Sequence, residues 1–210
     1  MDSSYTYLMF LQTAIFVIAW VSVKHHVAKN GPIRQARTVT KINSWVYAAA
    51  AFGLMVITLL PSYDAVGRQL YHYSKFYEYI DILAVLASGG AIDLHFGFHH
   101  LTTPYFTFFR VLQHSDGWQV FGAANAFHHM LMYAYFGGAS FLRPLLDTTG
   151  SIQLLAGITT DLWIAYRKMG SGGEPIWPNL FGAGLLTAYL VLWFRDLRIR
   201  AMAKDLEKAN

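Results

Sequence analysis

The sequence contains no cysteine and few charged residues. Without cysteine, the chain has no disulfide, no thiolate nucleophile and no cysteine-ligated zinc or iron–sulfur cluster. Charged residues make up 13% of the 210 residues and hydrophobic residues 55%, whereas soluble domains carry about 25% charged residues. The mean hydropathy is +0.33. This composition is typical of an integral membrane protein, and a net charge of +4 is too small to indicate a nucleic-acid partner.

Long apolar segments predict seven membrane-spanning helices, since a helix needs about 20 mostly apolar residues to cross a bilayer. The approximate spans are 5–23, 44–62, 75–91, 93–111, 118–137, 151–166 and 179–194. Ionisable residues are concentrated in the middle four spans, and the first, second and seventh have almost none. We therefore expect an all-α integral membrane protein with a single transmembrane domain over residues 1–210.

Basic residues are distributed unequally between the two ends of the predicted spans. Eleven lie on the side that holds the first link and the C-terminal tail. The five assigned to the other side are Arg68, Lys75, Arg110, Arg167 and Lys168. Because cytoplasmic segments carry an excess of Lys and Arg, the bias favours seven spans over six and predicts a cytoplasmic C-terminus.

Polar side chains inside a span are costly and are therefore functional hypotheses. The third span carries Lys75, Glu78 and Asp81, whose spacing of three places them on neighbouring helical positions; they predict either a site or an ion-paired structural patch. The polar residues of the next three spans are His95, His99, His100, Asn125, His128, His129, Gln153 and Asp161. Histidine can act as base, acid, nucleophile or metal ligand. The middle spans are thus expected to enclose a polar, reactive interior.

Several of these segments together resemble the ELO family of very-long-chain fatty acid elongases. Lys75-Phe-Tyr-Glu78-Tyr-Ile-Asp81 is similar to its K-x-x-E-x-x-D motif, and Asn125-Ala-Phe-His128-His129-Met-Leu-Met132-Tyr133 to its N-x-x-x-H-x-x-M-Y motif. His99-His100-Leu-Thr-Thr-Pro104 resembles the end of its histidine box, and Gln153 the first Gln of a Q-x-x-Q pattern. The resemblance covers about residues 70–160. It implies a seven-helix fold in which a six-helix barrel, with one further helix beside it, surrounds a narrow tunnel.

The sequence departs from the family pattern at three places. The family box is H-x-x-H-H, whereas His95-Phe-Gly-Phe-His99-His100 has one extra residue, and we expect a bulge beside Gly97 to return His95 to the inward face. Ala156 stands where the second Gln is expected. The cytoplasmic links carry fewer of the basic residues that bind the phosphates of coenzyme A in the family.

The resemblance implies a 3-ketoacyl-CoA synthase, an acyltransferase that condenses acyl-CoA with malonyl-CoA without a metal or redox cofactor. His99 or His129 would accept the acyl group or act as base. The other catalytic candidates are His100, His95, Asn125, Asp81 and Glu78. The substrate-binding candidates are Lys75, Gln153, Tyr133 and His128. The resemblance also implies the endoplasmic reticulum membrane, with membrane lipid around the protein, and small residues in the spans permit a homo-oligomer.

Three other functions fit the same residues. An enzyme of this fold redirected to another lipophilic substrate would use the histidines and carboxylates for acid–base chemistry such as a cyclisation or isomerisation. A di-metal membrane desaturase or hydroxylase would need about eight ligands, and only five histidines are clustered here. A carrier or structural subunit would keep the tunnel without chemistry.

Overall fold

A computed structural model describes residues 3–114, 116–171 and 174–209, which form helices joined by short links, with no strand among them. The α-helices are α1 (Ser3–Asn30), α2 (Ala36–Thr58), α3 (Asp64–Tyr77), α4 (Tyr79–Ala87), α5 (Leu94–Phe106), α6 (Trp118–Gly137), α7 (Arg143–Ser171) and α8 (Trp177–Ala209). Short 3-10 helices occupy Pro61–Tyr63 and Ser140–Leu142, and a π-helical segment, Thr107–Leu112, continues α5. The predicted all-α class is confirmed.

Only Glu78 separates α3 from α4, so the described residues form seven helical rods, one for each predicted span. The bounds differ: the third rod begins at Asp64 rather than near 75, and α2 ends at Thr58, just before the 3-10 turn that Pro61 begins. Three helices in the described part of the chain are long and apolar enough to cross a membrane, namely Tyr7–Asn30, Ala36–Thr58 and Trp177–Met202. The helices α3, α4 and α5 have 14, 9 and 13 residues and are too short to count singly, whereas polar residues lower the hydropathy of α6 and α7.

Six of these rods form a closed ring, and α1 lies outside it. Around the ring, α2 packs on α6, α6 on α7, α7 on α8, and α8 on α5, and the α3–α4 rod closes the gap between α5 and α2. α1 packs mainly on α4, where the Phe16 ring stacks on the Tyr79 ring with 3.7 Å between centroids. A ring of six rods with one rod beside it is consistent with the fold that the resemblance to elongases implies.

Two local irregularities turn polar side chains into the ring. At Glu78 the Asp81 amide bonds to the Glu78 carbonyl three residues earlier, which is the tighter 3-10 spacing. In α5, Pro104 has no N–H to donate to the preceding turn. The π-helical segment follows, and in it the buried Arg110 meets Asp161 of α7 with 2.6 Å between Nε and Oδ1.

One end of the ring, which we call the basic end, holds the α1–α2, α4–α5 and α6–α7 links and the C-terminal part of α8. It carries the eleven basic residues counted on the expected cytoplasmic side. The assignment of Lys75 and Arg110 to the opposite end was wrong: they are 2% and 3% exposed, and each is ion-paired inside the ring. The charge asymmetry between the two ends is therefore larger than the sequence predicted.

Candidate active site

The ring encloses a cavity of about 560 Å³ that extends inward from the basic end. Its lining includes the predicted site residues Lys75, Asp81, His95, His99, His100, Asn125, His128, His129, Tyr133 and Gln153. Glu78 does not line the cavity but contacts Lys75 and His129, which do. The structure thus brings ten of the eleven predicted residues to one cavity and places the other directly behind its wall.

Glu78 is fully buried, and its Oε1 atom is the centre of the polar cluster. This oxygen lies 2.6 Å from Lys75 Nζ, 2.7 Å from the Tyr47 hydroxyl and 3.1 Å from His129 Nδ1. Because a carboxylate only accepts hydrogen bonds, His129 donates from Nδ1 and keeps its lone pair on Nε2. The cluster therefore fixes one tautomer of a buried imidazole, and the Lys75 ammonium neutralises the carboxylate that fixes it.

An amide relay connects this cluster to α7. Asn125 Oδ1 accepts from the Tyr71 hydroxyl at 2.8 Å and from Lys75 Nζ at 3.2 Å. These two donors orient the amide so that Asn125 Nδ2 donates to Gln153 Oε1 at 2.7 Å. The Gln153 NH₂ group, which donates to no other described residue, is thereby presented at the cavity wall.

His99 faces His129 within the cavity, with 6.5 Å between the ring centroids. Its other ring neighbours are Tyr189 at 5.0 Å, His100 at 5.1 Å and His95 at 6.0 Å. The His99 ring makes no hydrogen bond to another described residue, so both nitrogens are available to a ligand. His100 is buried, and its Nδ1 atom has no partner among the described residues.

The expected bulge beside Gly97 is absent, because α5 is regular from Leu94 to Phe106. The helix instead begins just before His95, where the Asp93 side chain accepts from the Phe96 amide at 2.7 Å. His95 consequently lies at the mouth of the cavity, with Nδ1 3.9 Å from Asp196 Oδ2. The extra residue of the histidine box is accommodated by where the helix starts.

The other predicted residues at the cavity wall have protein partners. The Tyr133 hydroxyl donates to the Asp81 carboxylate, and His128 Nδ1 lies 2.8 Å from Thr149 Oγ1. These groups reach a ligand only through their remaining atoms, so we expect them to shape the cavity more than to react.

Sequence reasoning missed several residues of the site. Tyr47 on α2 and Tyr189 on α8 belong to spans that were interpreted as having almost no polar function; Tyr47 contacts Glu78, and Tyr189 lies 2.8 Å from Thr102 Oγ1. Arg200 lines the cavity mouth from α8. Tyrosine is common in membrane helices as an interfacial anchor, so its presence in a span gave no usable signal.

One set of side chains has the geometry of a metal site. Glu78, His99 and His100 each offer a ligand atom, and these atoms lie within 4.8 Å of one another. Two imidazoles and a carboxylate are a donor set that suits zinc. The Lys75 ammonium, 2.6 Å from the same carboxylate, opposes a second positive charge there. The three side chains are close enough together to bind a divalent ion, but the Lys75 ammonium makes its binding electrostatically unfavourable.

Comparison with known protein families gives one match, in which the family model of ELO, the GNS1/SUR4 family, matches residues 62–197. The matched region runs from the start of the α3–α4 rod into α8 and contains all eleven predicted site residues. The search of curated proteins and the search of solved structures gave no match. Since the matched region covers well over half of the chain, the chain belongs to the ELO family and is an elongase-like membrane protein at the family level.

Proposed function

We propose that the protein is a condensing enzyme that joins the acyl group of an acyl-CoA to malonyl-CoA, giving 3-ketoacyl-CoA, free CoA and CO₂. The observation that carries the proposal is the Glu78–His129 pair facing His99 in a buried cavity. Such a pair presents an imidazole lone pair with a fixed direction to a carbonyl carbon, as in nucleophilic catalysis.

In the first half-reaction, His129 Nε2 attacks the thioester carbonyl carbon, so that a C–N bond forms and the C–S bond breaks. The resulting acyl-imidazolium keeps its Nδ1–H on Glu78, and the carboxylate stabilises the new positive charge. The sulfur leaves as a thiolate and takes a proton. Water at the mouth supplies that proton, and His99, whose nitrogens have no partner among the described residues, donates an N–H hydrogen bond to the thiolate until it leaves.

In the second half-reaction, malonyl-CoA loses CO₂ and its methylene carbon attacks the acyl carbonyl. A C–C bond forms, the C–N bond to His129 breaks, and the neutral imidazole is restored. Negative charge develops on the malonyl thioester oxygen while CO₂ leaves. The Gln153 NH₂ group, oriented through Asn125, is the donor at the cavity wall that can stabilise this charge.

The mouth of the cavity supports a substrate that carries coenzyme A. The links were expected to lack basic residues for its phosphates, and Arg200 of α8 supplies a guanidinium at this place. Its Cζ atom lies 5.5 Å from the Trp193 ring centroid, so the group is held over an aromatic face. A guanidinium binds phosphate oxygens in a bidentate manner.

A second candidate function is acid–base chemistry on a lipophilic substrate without CoA. The observation that favours it is the charge of the mouth, where two carboxylates, Asp93 and Asp196, line the cavity beside Arg200. Their negative charge weakens the attraction for a phosphate. In this alternative, His129 and Glu78 would move a proton without an acyl transfer.

The proposal extends to the membrane. The seven rods, the apolar outer surface and the basic end support seven spans with the C-terminus in the cytoplasm, and the family supports the endoplasmic reticulum. A reporter fused to the C-terminus should be accessible to protease in sealed microsomes. Protection of the reporter would show that the C-terminus lies on the lumenal side and would contradict the proposed orientation.

The activity is tested with purified protein in detergent, a panel of acyl-CoAs, malonyl-CoA and detection of 3-ketoacyl-CoA by mass spectrometry. His129→Ala and His99→Ala should abolish the product, whereas the control His26→Ala, at an exposed position near the end of α1, should leave it unchanged. A folded protein that gives no product from any acyl-CoA would contradict the condensation and favour the acid–base alternative.

A further inference from the structure

Two aromatic rings close the inner end of the main cavity. Phe106 and Phe121 line this cavity and also line a second, much smaller one that lies deeper in the ring. Of the described residues, they are the only two that line both. Their ring centroids are 5.3 Å apart in an edge-to-face arrangement. We call this pair of rings the partition.

Close packing holds the partition in place. A Cβ atom at Gly157 would lie 2.6 Å from Phe121 Cδ2, so the glycine is what lets the ring lie against α7. The Tyr71 ring packs edge-on to Phe121 at 6.5 Å. Behind the partition, the small cavity is lined by Arg110 and Asp161, whose ion pair is buried. An apolar chain that displaced either partner would leave a buried charge unpaired, which is unfavourable.

The distance from the histidines to the partition sets how much chain can fit. Phe106 follows His99 by seven residues on α5, and Phe121 precedes His129 by eight on α6. At about 1.5 Å of rise per residue, these separations are about 10 Å and 12 Å. An extended alkyl chain advances about 1.25 Å per carbon, from a C–C bond of about 1.52 Å and an angle of about 111°. Beyond the acyl carbonyl carbon, the space therefore holds about eight or nine carbons, which makes an acyl group of about nine or ten.

We propose that the site accepts medium-chain acyl groups, with an upper limit of about ten carbons, and that the partition formed by Phe106 and Phe121 sets this limit. The length estimate rests on the proposed function, because that function places the acyl carbonyl at His129. Removing the Phe121 ring would join the two cavities over about one helical turn, as far as Gly117. That turn adds about 5.4 Å, or about four carbons, before the chain reaches Arg110.

The limit is measured by binding rather than by turnover. Wild-type protein in lipid nanodiscs is titrated with saturated acyl-CoAs of six to eighteen carbons. Affinity should rise about fourfold per added carbon until about ten carbons and then level off or fall. In Phe121→Ala the rise should continue for about four further carbons, and in Phe121→Leu for one or two. Phe127→Ala, on the exposed face of the same helix, is the matched control and should keep the wild-type limit.

The outcomes separate this proposal from the proposed reaction. Wild-type affinity that keeps rising through sixteen carbons would overturn the limit, whether or not any variant folds. An unchanged limit in Phe121→Leu with a normal melting temperature would overturn the role of the partition. A shifted limit in a protein that makes no 3-ketoacyl-CoA would preserve the partition and refute the reaction. If the protein forms 3-ketoacyl-CoA but its affinity shows no chain-length limit, the reaction is supported and the role of the partition is refuted.

Discussion

Glu78 Oε1 lies 3.1 Å from His129 Nδ1 and 2.6 Å from Lys75 Nζ, so one buried oxygen both orients an imidazole and neutralises an ammonium. The ammonium offsets the cost of burying the carboxylate, and the imidazole receives a fixed tautomer. Structure and chemistry therefore depend on the same atom, and substitutions at this place must separate loss of folding from loss of reactivity.

Replacing Glu78 with Gln should reduce the rate of condensation by about 10³-fold or more, by analogy with other carboxylate-oriented catalytic histidines. The amide NH₂ group favours the wrong tautomer of His129, and Lys75 loses its counter-ion at a cost of roughly 3–5 kcal/mol in stability. The double variant Lys75→Met/Glu78→Gln should recover much of the stability and none of the activity. Rates and thermal unfolding are measured together, and a single variant that keeps a tenth of the wild-type rate would refute the orienting role.

Replacing Gln153 with Met should lower kcat by about 100-fold with little effect on KM, because the lost NH₂ donor acts on charge that develops only in the transition state. Gln69→Met, at an exposed position on α3, is the control. Steady-state kinetics with varied malonyl-CoA provide the measurement. An effect confined to KM would mean that the amide binds substrate and does not stabilise the transition state.

The buried ion pair of Arg110 and Asp161 should be sensitive to the loss of one partner. Arg110→Met leaves Asp161 buried and unpaired, so we expect the free energy of unfolding to fall by roughly 3–5 kcal/mol. Arg110→Met/Asp161→Leu should recover a large part of this loss. In the control, Arg143→Met removes a partly exposed pair with Asp147 and should cost less than about 1 kcal/mol. The free energy of unfolding is measured by reversible denaturation. Equal losses in Arg110→Met and Arg143→Met would contradict the distinction between the buried and the exposed ion pair.

The link before α6 contains a pH-dependent contact. The Lys168 ammonium, 2.6 Å from the Asp116 carboxylate, holds the pKa of Asp116 below its usual value. The contribution of this carboxylate to stability is therefore present above about pH 4, its unfolded-state range, and is lost as the pH falls through the lower folded-state pKa. Asp116→Asn should lower the melting temperature slightly at pH 7, with the difference disappearing below about pH 4 and at high salt. A difference that persists in acid would exclude the ion pair as its cause.

Much of the fold could be predicted from the sequence, because long apolar segments directly indicate helices. The start of the third rod was placed eleven residues too late, since α3 carries polar residues such as Asp64 and Arg68 that are satisfied within the protein. Hydropathy does not distinguish a polar residue facing a cavity from one in a link. The same limitation explains why the sequence predicts Lys75 and Arg110 at the end opposite the basic end, whereas both lie inside the ring.

The site residues were predicted by type and spacing, whereas their partners were not. The Tyr47–Glu78 and Thr102–Tyr189 contacts join residues 31 and 87 positions apart, and no local pattern specifies such a distance. The expected bulge at Gly97 was wrong for a related reason, since the start of α5 is determined by the Asp93 cap. Motifs locate the reactive residues, and the packing of the ring decides which atoms of them are available.

The most direct test of the central claim uses malonyl-CoA labelled with ¹³C in its free carboxyl group. Decarboxylative condensation predicts one labelled CO₂ for each 3-ketoacyl-CoA formed, no label in that product, and neither product in His129→Ala. A 3-ketoacyl product that retains the label, or a folded wild-type protein that releases no labelled CO₂ with any acyl-CoA, would contradict the proposed function.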